Sequence, residues 1–236
     1  MTWPDAPRDL EALQRELALL RPEPWVPTPA ASVGGCFVCF GRGGGGPGEA
    51  GERGWAAAVR LSGVRLAGSA VVDGGAGAPY VAGLLASREG PLLESAVRAL
   101  RSAPAVVVVN ATGRDHPRQA GLALHLGWVL DLPTVGVTDR PLVASGDAPD
   151  RAAGSASPLV IEGEQIGWWA RTRAGARPVA VSPGWAIDLD TALEVVLAVV
   201  GRFRTPEPIR QARRLARAAR SREQEDAGPA GASPDP

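Results

Sequence analysis

The sequence predicts an α/β protein. Its frame is a mixed β-sheet, an antiparallel meander continued by parallel strands, with helices on its faces. Two groups of segments carry this reading. The apolar run VGGCFVCF at 33–40 precedes two strand-like stretches that meet at a tight turn, Ser62-Gly63. Two short β-branched runs, AVVVVN at 105–110 and PTVGV at 133–137, alternate with helical stretches. A meander followed by such alternation calls for one sheet covered by helices.

The elements follow in order. Residues 7–21 read as an amphipathic helix, because Leu10, Leu13, Leu17 and Leu20 recur at steps of three and four and Pro22 stops it. The proline-rich RPEPWVPTP is a connector, and VGGCFVCF suits a central buried strand. GRGGGGPGEAGERG reads as a flexible loop, followed by the strands WAAAVRLSG and VRLAGSAVVDG. Residues 88–102 read as a helix with Leu92, Val97 and Leu100 inward. HPRQAGLALHLGWVL is expected to be helical with Pro117 in its first turn, and 140–157 to be a loop. PLVIEGEQIGWWARTR reads as a hairpin around Glu162-Gly163-Glu164, and PVAVSPG as a further strand. Asp190 is expected to cap the helix DTALEVVLAVV, which Gly201 ends. The order describes a ribonuclease-H-like architecture. Residues 1–32 are read as an N-terminal helix and connector, 33–222 as the domain, and 223–236 as a disordered tail.

Length, composition and charge narrow the function classes. The 236 residues suit one domain, and 45 % apolar with 21 % charged residues excludes a wholly disordered chain. Lys+Arg 25 balances Asp+Glu 25, so no global basic field advertises nucleic acid, although a local basic groove is compatible with that balance. Every basic residue is arginine, so no lysine serves as base or Schiff-base former. No run of 18 apolar residues and no leader-like start is present, so a cytoplasmic protein without membrane contact is expected. Cys36 and Cys39 have C-x-x-C spacing, but on a strand these positions face opposite ways, which disfavours a metal or redox pair.

Several blocks carry a family resemblance. PYVAGLLASREGP (79–91), VVVVNATGRDHPRQAGLALHLGWVLDLPTVGV (106–137), RTRAGARPVAVSPG (171–184) and TPEPIRQARRLA (205–216) resemble the endonuclease V family in order and spacing, from about Val33 to Ala216. The resemblance implies a metal-dependent nuclease that recognises deaminated purines in DNA or RNA and cuts one linkage to the 3′ side. Carboxylates would hold Mg²⁺, which activates water and steadies the leaving oxygen. A proline-tyrosine wedge would open the duplex beside a glycine-lined base pocket.

Carried over residue by residue, the resemblance implies a damaged site. Phe37 stands at the first-strand acid, and a phenyl ring cannot ligate a hard cation. Glu89 is retained, whereas Asn110 replaces the next acid. Ala111 replaces a pocket glycine, and Gly113 is kept. His116 is retained, Asp139 stands in place of a lysine, and Trp185 in place of the S-P-G-H histidine. Of the wedge, Pro79, Tyr80 and Gly83 match and Ala82 replaces the second proline. Tyr80 reads equally as a wedge or as a structural residue. Arg88, Arg114 and Arg118 beside the cleft, and the arginines of EPIRQARRLARAARSR, are candidate phosphate contacts; the last helix reads alternatively as a solvated face. Glu89, Asp115 and Asp139 form an alternative metal cluster, with Asp139 otherwise a solvated acid beside Arg140. His125 is expected in the core or supporting the site. Trp168 and Trp169 should place one ring inside and one outside. The expectation is a monomeric pseudonuclease that keeps DNA or RNA binding and needs no cofactor. The alternatives are an active nuclease using Mg²⁺ in a rearranged site, or a protein-interaction module.

Overall fold

The computed structural model describes residues 3–41 and 48–226. Thirteen elements are built among them: α1 (Pro7–Leu19), β1 (Val33–Phe40), β2 (Arg53–Ser62), β3 (Arg65–Gly75), α2 (Leu85–Arg98), β4 (Val106–Val109), α3 (Leu122–Leu130), β5 (Thr134–Thr138), β6 (Ala156–Ile161), β7 (Glu164–Ala170), β8 (Val179–Pro183), α4 (Leu189–Ala198) and α5 (Glu207–Asp226).

The eight strands form one sheet in the order β3-β2-β1-β4-β5-β8-β7-β6. β1, β4 and β5 run parallel at its centre. Antiparallel strands extend it on both sides. The all-valine β4 is buried on both faces, as a central parallel strand requires. Val107 and Val109 join α2 and α3 on one face, while Val106 and Val108 join α4 on the other. Cys36 and Cys39 fall into different core clusters across the sheet, as their odd spacing demands. The β6–β7 turn takes left-handed φ at Glu162 (51°) and Gly163 (86°), the pattern of a two-residue hairpin turn.

α5 is more than a solvated end. Its Ile209, Ala212 and Ala216 are buried against the sheet, and small residues there let helix and strand approach closely. At Gly35 a Cβ would lie 2.4 Å from Pro208, so the close approach needs glycine. The helix runs past the expected boundary at 222. Glu223 accepts from Arg53 Nε at 3.1 Å and from Trp55 Nε1 at 2.8 Å, which anchors the start of the expected tail. Residues 227–236 of that tail, and 42–47 of the glycine-rich stretch, lie outside the described residues.

Four local expectations are corrected. Residues 116–121 are turn rather than helix, because Gln119 takes a left-handed φ of 50° that a right-handed helix cannot hold. The α4 cap is Asp188, which accepts from the backbone N–H of Thr191 at 2.7 Å; Asp190 lies in the first turn. Helix α4 ends at Ala198, ahead of Gly201. Trp168 and Trp169 sit on opposite faces but are both half-buried, each indole donating to a backbone carbonyl, Leu189 and Gly146 respectively. His125 is fully buried, stacked 4.2 Å from Trp3 and edge-on to Trp128, and neither ring nitrogen finds a partner among the described residues. Burial pushes its pKa down to about 4.

Candidate active site and its neighbouring cavity

The middle of β1, the residue that follows β4, and α2 border a cavity of about 260 Å³ lined by Cys36, Phe37, Val38, Leu85, Glu89, Leu93 and Asn110. Three positions named from the sequence, Phe37, Glu89 and Asn110, therefore line one cavity, although the Phe37 ring packs toward α5 on the other face of the sheet. Glu89 faces mostly apolar neighbours. Burial raises its pKa to about 7, and the nearby Arg88 charge offsets this only in part. The Cys36 thiol is pushed up to about 12, first by burial and then by Glu89, so it is inert at neutral pH.

A guanidinium reaches the mouth of this cavity from α5. Arg213 Nη2 donates to Asn110 Oδ1 at 3.1 Å, and its guanidinium carbon lies 5.0 Å from the Phe37 ring centre. Arg217 stands over the same ring at 5.8 Å. The residue types at 37 and 110 gave no hint of this. The signal was the arginine-rich helix that begins TPEPIRQARRLA, which sequence alone could not aim.

A second cavity of about 210 Å³ adjoins the first, sharing Leu85 and Asn110, and is lined also by Tyr80, Val81, Gly83, Ala111, Thr112, His116 and Leu142. The segment between β3 and α2 supplies Pro79, Tyr80 and Gly83, with Tyr80 52 % exposed at the rim. Gly83 has φ +79°. Its carbonyl accepts from Gln14, His116 Nε2 and Arg118 at 3.2, 3.1 and 3.0 Å. His116 Nδ1 accepts from the Arg118 backbone, so both ring nitrogens are engaged and the ring is neutral, Nε2 carrying the proton. Burial first, then the Arg118 charge, takes its pKa down to about 4 against the opposing pull of Gly83. His116 thus ties the loop to the turn that follows β4, with both ring nitrogens bonded. Gly113 passes beneath β8, where a Cβ would meet the Pro183 carbonyl at 2.0 Å, and its N–H donates to Ser182 Oγ at 2.8 Å.

Other expected positions lie elsewhere or are engaged within the fold. Arg88 is 4 % exposed, paired with Glu52, bonded to the carbonyls of Glu49 and Ala78, and stacked on Phe40. Arg118 is held by Gln14 and Gly83, and Arg114 by the carbonyls of Ala18 and Leu20. Arg88 is thus buried and engaged within the fold, whereas Arg114 and Arg118 stay partly exposed while bonded to the protein's own groups. Trp185 packs with Leu17 and Leu124, away from both cavities. Asp139 pairs with Arg204 Nη1 at 2.6 Å, rather than with Arg140. Asp115 is buried and accepts from three backbone N–H groups, Leu142, Val143 and Ala144. Among the described residues no three of His, Cys, Asp and Glu are grouped to hold a metal ion, so Glu89, Asp115 and Asp139 are not assembled into the alternative cluster. No helix among the described residues is long and apolar enough to cross a membrane.

Comparison with known proteins gives the family. The family model "Endonuclease V" matches residues 28–214. Endonuclease V of Nocardia farcinica is 49 % identical over 151 residues, covering 64 % of this chain and 66 % of the relative. That of Streptomyces coelicolor is 38 % identical over 221 residues, 92 % of each chain. The crystal structure of Streptomyces avermitilis endonuclease V superposes with a TM-score of 0.84 at 35 % identity, covering 94 % of this chain and 96 % of that one. Ciona intestinalis endonuclease V, in complex with a DNA 24mer containing an inosine followed by a ribo-adenosine, has a TM-score of 0.77 at 20 % identity over 92 % of this chain and 98 % of that one, a likeness of fold. With the family match over 28–214, a relative 38 % identical over 92 % of each chain and a shared fold, the chain belongs to the endonuclease V family.

Proposed function

We propose that this chain is a nucleic-acid-binding pseudonuclease, an endonuclease V fold whose cutting site no longer works. The observation that carries the reading is the lining of the first cavity. Of Phe37, Glu89 and Asn110, only Glu89 is a carboxylate, and the Asn110 oxygen is already taken by Arg213.

Mg²⁺ is a hard cation that asks for charged oxygen ligands in near-octahedral array. A phenyl ring offers none, and a guanidinium at the cavity mouth repels a divalent cation. These residues do not fit the metal that the family's chemistry implies, and no catalytic step is routed through one. Each ~1.4 kcal/mol of lost transition-state stabilisation costs tenfold in rate, so two missing anionic ligands suffice to silence a phosphodiesterase.

The second cavity supports the binding half of the reading. It is small, largely apolar and rimmed by Tyr80, as suits a single flat ring, with the Ala111 methyl narrowing it where the family pattern has glycine. The test is nicking of deoxyinosine duplex and inosine RNA with Mg²⁺ or Mn²⁺, run beside a binding assay. Binding without cleavage is expected. Multiple-turnover cutting that disappears in Glu89→Ala would overturn the reading.

A further inference from the structure

We infer that Arg213 and Arg217 form a metal-independent phosphate site at the mouth of the first cavity, seating a phosphodiester while the attached base enters the second. The inference deepens the proposed nucleic-acid binding and rests on it.

Most guanidiniums near the site are satisfied. Arg53, Arg88, Arg118, Arg204 and Arg210 each pair with a carboxylate. Arg213 and Arg217 enter none of the ion pairs among the described residues. Instead both stand over the face of Phe37, and Arg213 spends one N–H on a neutral carboxamide. Its Nε is buried without an acceptor among the described residues. Asp139 is the acid that reaches Arg213 through its field, and its carboxylate is bound by Arg204.

Two cations held close together on a preformed support, without an anion, repel each other. The direction of the Arg213 pKa, lowered by burial first and then by Arg217, agrees. An anion bridging them relieves that repulsion. The guanidinium suits the task because it stacks on a ring while keeping a planar fork of N–H groups for two oxygens, which an ammonium cannot do. The adjoining cavity, sharing Leu85 and Asn110 and floored by apolar side chains, makes a nucleotide phosphate a better occupant than a bare carboxylate.

The experiment is anisotropy of a fluorescein-labelled oligothymidylate over a salt series, in EDTA and in Mg²⁺ at matched ionic strength. Wild-type affinity should be the same with EDTA and with Mg²⁺. Arg213→Ala and Arg213→Gln should each lose about tenfold, with the slope of log K against log salt shallower by ~0.7, the value for one single-strand phosphate contact. Arg213→Lys should recover only part of the loss. In a parallel arm, inorganic phosphate should raise the melting temperature of the wild type and not of Arg213→Ala. If the wild type binds the oligonucleotide and both variants match it in affinity and slope, the phosphate site is refuted and nucleic-acid binding stands. If EDTA abolishes binding, metal independence is refuted. If the oligonucleotide fails to bind while phosphate still stabilises through Arg213, the phosphate site stands and the nucleic-acid reading falls.

Discussion

Replacing Asp115 with alanine should cost about 4 kcal/mol of stability and loosen the wall of the second cavity. The Asp115 side chain is 1 % exposed. One carboxylate oxygen accepts from Leu142 at 2.6 Å, the other from Val143 and Ala144 at 2.9 Å each. Hydrogen bonds to a charged group are worth roughly 1.5–3 kcal/mol each, but the three losses are unequal. Leu142 and Val143 are about half exposed, so water replaces the acid at their N–H groups. The Ala144 bond is buried, and its orphaned donor bears most of the penalty. At roughly 2–4 °C per kcal/mol for a chain of this size, the melting temperature should fall by about 10 °C. Asp115→Asn keeps one acceptor oxygen and should lose about half as much. The assay is thermal unfolding of the three proteins, with amide exchange of 142–144 as the local readout. A melting temperature within about 2 °C of wild type for Asp115→Ala, or equal losses in the two variants, would refute the staple.

The remaining predictions concern the site and the core. Phe37→Asp with Asn110→Asp should fold yet not cleave deoxyinosine DNA, because the new carboxylates lie beside Arg213 and take it as their counter-ion; cleavage comparable to an intact endonuclease V would show that only the ligands had been lost. Adding Asp139→Lys should not help, since it sets a second cation against Arg204; a nicking assay on the triple variant checks this. His125 has a folded pKa lowered from 6.5 to about 4, so the native state excludes a proton that the unfolded chain accepts. Its contribution is present above pH 6.5 and is lost as pH falls toward 4, about 3 kcal/mol in all. His125→Phe should flatten that part of the stability-pH curve in urea titrations, and an unchanged slope would refute the assignment. Matched inosine and adenosine oligonucleotides should bind with equal affinity, because the Ala111 methyl narrows the pocket; an inosine preference in anisotropy would show that base reading has survived.

What could be read in the sequence follows from the range of each interaction. Periodicity is local, and it placed β1, β4, β5, the hairpins and α2 within a few residues. Errors arose where a backbone turn or a side-chain cap departed from the periodic pattern. Gln119 takes a left-handed φ of 50° and turns a helical pattern into a loop, while the His116 ring bonds the Arg118 N–H. Asp190 was read as the cap in IDLDTA, but Asp188 has Thr191 three residues on to donate from both backbone and hydroxyl. Arg88 and Glu89 adjoin in sequence, yet successive helical residues face different ways. One therefore turns inward to Glu52 while the other lines the cavity.

The site itself was legible as a set of substitutions but not as an electrostatic arrangement. Each departure from the pattern that the resemblance implies would, taken singly, be a loss: Phe37 and Asn110 where acids are expected, Asp139 where a lysine is. In space the departures have partners. Asn110 is bonded by Arg213, 103 residues away, and the Phe37 ring supports the same guanidinium. Asp139 is bound by Arg204, 65 residues away, so a cation again stands beside the position where lysine was lost. Both arginines come from the segment that carries α5 and its approach, and no spacing rule links that segment to β1, β4 or β5. Restoring an acid at 37 or 110 therefore places a negative charge against a guanidinium already there, and the pair closes on itself before any metal ion can share it. On this argument Arg213 must be removed before either acid is restored.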